Sequence, residues 1–221
     1  MRTAAVLPIK SFGRAKQRLG EAVGGGERRE LAEAMVGDVL EALGAVPGIA
    51  DVVVVTAEPM AARAAERTGA AIVHDAEEAG QSAAAARGID AALARGAARA
   101  LLVPGDCPAL DPGEVSRLLA RGGEPPHVVI VPDRHGSGTN ALLLTPPAAV
   151  APAFGTGSFA RHAALAAGAG ATVSVCELPS LALDVDTPGD LAALREALES
   201  RPGGAARTRA VLDRLVPVAA R

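Results

Sequence analysis

Apolar and polar positions change period along this chain in a regular way. Ala4 to Ile9 is an almost unbroken apolar run, and Asp51 to Thr56 (DVVVVT), Ala100 to Val103 and Val128 to Pro132 (VVIVP) repeat the pattern. Apolar runs of strand length without alternation suit interior strands covered on both faces. Between them the period lengthens. Glu27 to Leu43 places Leu31, Met35, Val39, Leu40 and Leu43 on one helical stripe. Pro59 to Arg67 and Pro112 to Ala120 are further helices, and an Ala-rich stretch from Gly80-Gln81-Ser82 to about Arg95 is another; Ala71 to Val73 is a brief strand. Strands alternating with helices predict a mostly parallel sheet wrapped on both faces, which is a three-layer αβα domain of the α/β class.

The rhythm breaks after Pro132. Asp133 to Asn140 (DRHGSGTN) is a glycine-rich turn, and the strand Ala141 to Thr145 follows so closely that a hairpin-like pair is expected. A proline-punctuated loop leads to a second glycine-rich segment, Phe154 to Ser158 (FGTGS), which enters a helix over Phe159 to Ala167. A strand over Thr172 to Glu177 and a long helix from Thr187-Pro188 through Leu198 complete the pattern. Residues 1–200 read as one domain. Residues 201–221 read as a tail, with a short helix around Thr208 to Leu215 or a frayed end.

Composition excludes several classes. The formal net charge is -3, so no global basic field is available for nucleic acid, and aromatics are 1% of residues, so base-stacking platforms are missing. No apolar run reaches the length of a membrane span, and the start of the chain does not read as a signal peptide. Cys107 and Cys176 do not form a CxxC pair, and reduced thiols in a cytoplasmic protein are expected. An oligomeric state is not legible, which leaves a homodimer open.

The candidate chemistry lies where strands end. Leu101 to Leu110 (LLVPGDCPAL) closes a strand with Pro104-Gly105 and then offers Asp106. The carboxyl edge of an open α/β sheet is where such folds bind ligands. Asp106 therefore either holds a divalent cation against a phosphate or only caps the turn or the helix that starts near Asp111. Lys10, Arg14, Lys16 and Arg18 are four cations in nine residues after the first strand. They suit a triphosphate, or they form a solvated basic loop; neither the Walker A nor the GxGxxG pattern is present. Gly80 and Gln81 could read a nucleobase or ribose, or Ser82 simply caps its helix. Thr139 and Ser158 offer hydroxyls, Gly155 and Gly157 allow close backbone approach, and Arg134 and Arg161 could supply cations to a second anion pocket. His135 and His162 are either hydrogen-bonding groups there or packed polar residues. Asp184 and Asp186 are alternate residues and face one side of an extended segment, with Asp186 or Thr187 also suited to cap the last long helix.

Two acids from distant segments can hold Mg2+, which keeps waters and bridges substrate phosphates. A basic loop, distant acids and a separate anion cradle together suit nucleotidyl transfer onto a phosphate. That nucleophile is already ionised at neutral pH and needs no general base.

The motifs Pro8-Ile9-Lys10 with Arg14-Ala15-Lys16, Gly105-Asp106-Cys107-Pro108, DRHGSGTN, FGTGS with Arg161-His162, and Asp184-Val185-Asp186-Thr187-Pro188 carry a resemblance. Over about residues 3 to 199 the chain resembles the phosphoenolpyruvate / 2-phospho-L-lactate guanylyltransferases of coenzyme F-420 biosynthesis. The resemblance implies a glycosyltransferase-A-like nucleotidyltransferase fold that transfers GMP from GTP to a phosphorylated three-carbon acid. It implies Mg2+ held by Asp106 and Asp186, with Asp184 as a further ligand. Thr139, Gly155 and Ser158 would hold the acid, Lys10, Arg14 and Lys16 would meet the triphosphate next to Pro8, and Gly80 and Gln81 would lie near the nucleoside. A sugar-phosphate or molybdopterin nucleotidyltransferase, or a non-catalytic nucleotide-binding subunit, is the competing expectation.

Overall fold

The computed structural model describes residues 1–13, 19–20, 23–201 and 203–215. Seven strands form one sheet in the order β3-β2-β1-β4-β6-β5-β7. In chain order these are β1 (Thr3–Ile9), β2 (Ile49–Thr56), β3 (Ala71–His74), β4 (Arg99–Leu102), β5 (His127–Pro132), β6 (Thr139–Thr145) and β7 (Thr172–Val175). The helices are α1 (Gly25–Gly44), α2 (Pro59–Thr68), α3 (Gln81–Ala94), α4 (Pro112–Ala120), α5 (Ser158–Gly168), α6 (Pro188–Ser200) and α7 (Ala206–Arg214). The α/β class and the alternation expected from the sequence are both present.

Alternate residues of β1 divide the core. Ala5, Leu7 and Ile9 pack with α1, α2 and α4 on one face of the sheet. Ala4 and Val6 pack with α3 and α5 on the other. Gly88 on α3 is needed for that second layer: a Cβ there would come within 2.2 Å of Val6 Cγ1. A third cluster joins α6 and α7 to the far side of α1 through Leu31, Met35, Leu194 and Val211. Asp38 of α1 fixes this outer layer, because its carboxylate accepts from the amides of Arg207 (3.1 Å) and Thr208 (2.7 Å) at the start of α7.

The pairing of β5 with β6 is the expected hairpin, but β6 is inserted between β4 and β5 and runs antiparallel to both. This insertion shapes the site. The parallel strands β1 to β4 deliver their carboxyl ends to one edge of the sheet, and β6, running the other way, delivers its beginning to the same edge. Thr139 and Asn140 therefore sit on the strand rather than in the turn before it, after an irregularity that pairs Thr139 with Pro132. β7 ends at Val175, short of the expected Glu177.

Candidate active site

A cleft of about 530 Å3 opens at that edge. One wall comes from the end of β1 (Pro8, Ile9, Lys10) and the entry to α3 (Gly80, Gln81). Asp106, Asp184 and Asp186 line the same cleft, as do Thr139, Gly155 and Ser158. The candidate residues Pro8, Lys10, Gly80, Gln81, Asp106, Thr139, Gly155, Gly157, Ser158, Asp184 and Asp186 thus share one cavity. Arg14 and Lys16, with Arg18, lie outside the described residues.

The acids meet because the backbone makes them meet. The amide of Val185 donates to the carbonyl oxygen of Asp106 at 3.2 Å, which sets the Asp184–Asp186 segment alongside the turn after β4. Asp106 does not cap the following helix. Asp111 does, accepting from Glu114 N at 2.7 Å. The cap of α6 is likewise Thr187, in a reciprocal arrangement with Asp190, and both Asp184 and Asp186 line the cleft.

Asp184 is the electrostatically costly member. Burial pushes its pKa up, and the charges of Asp106 and Asp186 push the same way, while Asn140 works against them. Asn140 Nδ2 donates to Asp184 Oδ1 (3.2 Å) and to the carbonyl of Leu181 (2.7 Å). A divalent cation would invert that balance by favouring the ionised forms, so the three carboxylates fit one. Among the described residues no group of three or more His, Cys, Asp or Glu side chains forms a metal cage. That is compatible with Mg2+, which takes few carboxylates and fills its remaining positions with water and phosphate oxygens.

The glycine-rich wall is braced from three sides. Gly155 (φ +108°) and Gly157 (φ +70°) take left-handed backbone angles that a side chain would strain. The ring of His162 accepts from Ala153 N at 2.9 Å, and Ser82 Oγ accepts from Phe154 N at 2.9 Å. Ser82 therefore is not the cap of α3, as it could have been from sequence. It lies one residue inside a helix capped by Gly80, and its hydroxyl is used to tie the loop down. Asp133 shapes the other glycine-rich turn by accepting from His135 N (3.1 Å) and Ser137 N (3.0 Å).

The two arginines expected to bind substrate do not line the cleft. Arg161 donates to the carbonyls of Ala153, Phe154 and Thr156, so it buttresses the FGTGS loop from behind. Arg134 is ion-paired with Asp190. Asp190 in turn accepts from Asp186 N (3.0 Å), Thr187 N (2.7 Å) and Thr187 Oγ1 (2.9 Å). Burial opposes the Asp190 charge, but the Thr187 hydroxyl, these amides and Arg134 together hold its pKa below the ordinary carboxylate value. His135 is exposed, within reach of Arg134 at 3.2 Å. Lining residues that the sequence did not single out are Asp75, Glu78, Asp133 and Asn140. Of these Asp133 and Asn140, the first and last residues of the DRHGSGTN motif, carried a signal.

A nucleotide-sized cleft at the switch between parallel and antiparallel pairing, with acids lining it, defines a nucleotidyltransferase fold, and solved structures agree. A Desulfovibrio desulfuricans G20 protein assigned to the nucleotide-diphospho-sugar transferases superposes with TM-score 0.76 at 18% identity, covering 97% of each chain. A CMP:2-keto-3-deoxy-manno-octonic acid synthetase, solved with CTP, superposes with TM-score 0.62 at 16% identity, covering 90% of this chain and 99% of that one. The sequence profile described as "Guanylyl transferase CofC like" matches residues 3–197, and the chain belongs to this family. A protein of Conexibacter woesei named phosphoenolpyruvate guanylyltransferase is 52% identical, over 98% of this chain and 97% of its own. One of the same name from Rubrobacter xylanophilus is 42% identical, over 88% and 94%.

Proposed function

We propose that this protein transfers GMP from GTP to the phosphate of phosphoenolpyruvate, releasing pyrophosphate, as a step of coenzyme F-420 biosynthesis. The observation that carries the reading is the cleft that Asp106, Asp184 and Asp186 share with Thr139, Gly155 and Ser158. The names of the relatives in Conexibacter woesei and Rubrobacter xylanophilus support the acceptor.

In this reading an oxygen of the acceptor phosphate attacks the α-phosphorus of GTP. A P–O bond forms, the bond from the α-phosphorus to the bridging β-oxygen breaks, and pyrophosphate leaves. The nucleophile arrives ionised, so the residues position and neutralise rather than remove a proton. Lys10, at the end of β1, meets the triphosphate. Gly80 and Gln81 flank the nucleoside at the entry to α3. Gly155, Ser158 and Thr139 offer the acceptor backbone and hydroxyl hydrogen-bonding groups, with Ser158 opening α5, whose N-terminus adds a partial positive charge. Mg2+ held by Asp106, Asp184 and Asp186 would supply charge neutralisation for the phosphates. A cytoplasmic location belongs to this reading, in keeping with two buried cysteines. Among the described residues no helix is long and apolar enough to cross a membrane.

The test is pyrophosphate release from GTP and Mg2+ with phosphoenolpyruvate, 2-phospho-L-lactate and 3-phosphoglycerate in parallel. Release with phosphoenolpyruvate is expected. Release with none of them overturns the reading.

A further inference from the structure

His162 lies on α5 with no exposed surface, and its two ring nitrogens are both engaged. Nε2 faces the amide of Ala153 at 2.9 Å. An amide can only donate, so Nε2 carries the lone pair and the ring is neutral. The ring proton is then on Nδ1, which lies 3.0 Å from Thr139 Oγ1. Nδ1–H donates to the threonine oxygen. Thr139 keeps its own hydroxyl hydrogen, and Thr139 lines the cleft. The edge-on packing of Phe154 against the imidazole, with centroids 5.1 Å apart, removes the ring's freedom to turn over.

We propose that His162 is a positioning residue for the acceptor: by donating to Thr139 it makes that hydroxyl a one-way donor to the acceptor's phosphate. Through the Ala153 amide it also sets the spacing between Thr139 and the Gly155 loop. The inference rests on the acceptor site proposed above. A threonine hydroxyl free to rotate would as readily turn its lone pairs toward an incoming anion. One that already accepts from an immobile N–H presents hydrogen instead. Burial and the neighbouring Arg161 charge both hold the imidazole neutral, at a pKa of about 4, which keeps the required tautomer throughout the working range.

The experiment is a double-mutant cycle on the full chain, read as KM for phosphoenolpyruvate, KM for GTP and kcat. His162→Gln keeps an acceptor for the Ala153 amide but offers no donor where Nδ1 stood; Thr139→Val removes the hydroxyl. Each single variant is expected to raise the acceptor KM by roughly ten- to a hundredfold, the range of a hydrogen bond to a charged group. The KM for GTP should stay put, and the double variant should be no worse than Thr139→Val alone. His162→Asn, whose amide can donate from the Nδ1 position, should recover part of the loss, and it carries the cycle if the Gln variant does not fold. If Thr139→Val leaves the acceptor KM unchanged, the placement of the acceptor fails and takes the inference with it. If Thr139→Val is impaired but His162→Gln is normal, or the two effects multiply in full, the inference about His162 fails alone.

Discussion

Val185 donates its amide hydrogen to the carbonyl oxygen of Asp106 across 3.2 Å, joining segments nearly eighty positions apart in the chain. The bond belongs to the backbone, so it survives substitution of the flanking acids. Asp106→Asn and Asp186→Asn are therefore expected to fold as the parent does. Their kcat should fall by about a hundredfold or more, as when a preorganised group facing transition-state charge is lost. Pyrophosphate release together with thermal unfolding checks both halves. A variant that turns over normally would remove the acids from the chemistry.

Asp184 gives the opposite sign for stability. Its pKa is raised, by burial first and the Asp106 charge second. The native state then holds a proton that the unfolded chain has released, so stability falls as pH rises from the ordinary carboxylate value through the raised one. Above that window the ionised group is a net cost. Asp184→Asn keeps an acceptor for Asn140 and should melt higher than the parent at neutral pH in EDTA. With Mg2+ and a non-hydrolysable GTP analogue the order should reverse, because only the parent gains from the cation. Thermal shift under the two conditions reads this directly.

The alternation of strands and helices, and the residues at their junctions, were legible because burial imposes a period on the sequence. The position of β6 was not. A hairpin with β5 is a local inference, whereas insertion beside β4 is a choice among sheet edges that no short pattern encodes. The acids were found because Asp106 and Asp184–Asp186 each follow a strand-like or extended segment. The arginines show the limit. Arg134 and Arg161 both adjoin glycine-rich turns, and composition reports their charge without their direction. One is turned to Asp190 and the other to loop carbonyls. Asn140 was overlooked as a site residue for a related reason. Its importance comes from Asp184, 44 residues later, and exists only once β6 has begun two residues before its apolar run.

The bracing by Arg134 can be separated from substrate contact. The Arg134 guanidinium reaches the acidic segment through Asp190, whose carboxylate holds the amides of Asp186 and Thr187. Arg134→Ala should raise the Mg2+ concentration needed for half-maximal rate several-fold and leave the KM for phosphoenolpyruvate unchanged. Asp190→Asn should do the same more strongly and also lower the melting temperature, because it replaces the charged acceptor in the Thr187 cap by a neutral amide, a loss of up to about 1 kcal/mol. A selective rise in the acceptor KM for Arg134→Ala would instead put the guanidinium on the substrate.

His162 supplies a pH dependence of stability that does not pass through the acids. Its native pKa is lowered from 6.5 to about 4, mainly by burial and secondarily by Arg161. A depressed histidine favours folding most where both states are neutral. As pH drops below 6.5 the unfolded chain takes up a proton that the native ring refuses. Stability is lost progressively down to about pH 4, where the native ring also protonates. The shift corresponds to roughly 3 kcal/mol across that window. Carboxylates titrate over part of the same range, so the informative quantity is a difference. Unfolding by urea at several pH values, for the parent and for His162→Gln, should show the parent's advantage shrinking between pH 6.5 and 4 and then levelling. A gap that stays constant over that interval would mean that the imidazole is protonated in the native state at higher pH. Ala153 would then no longer find a lone pair at Nε2.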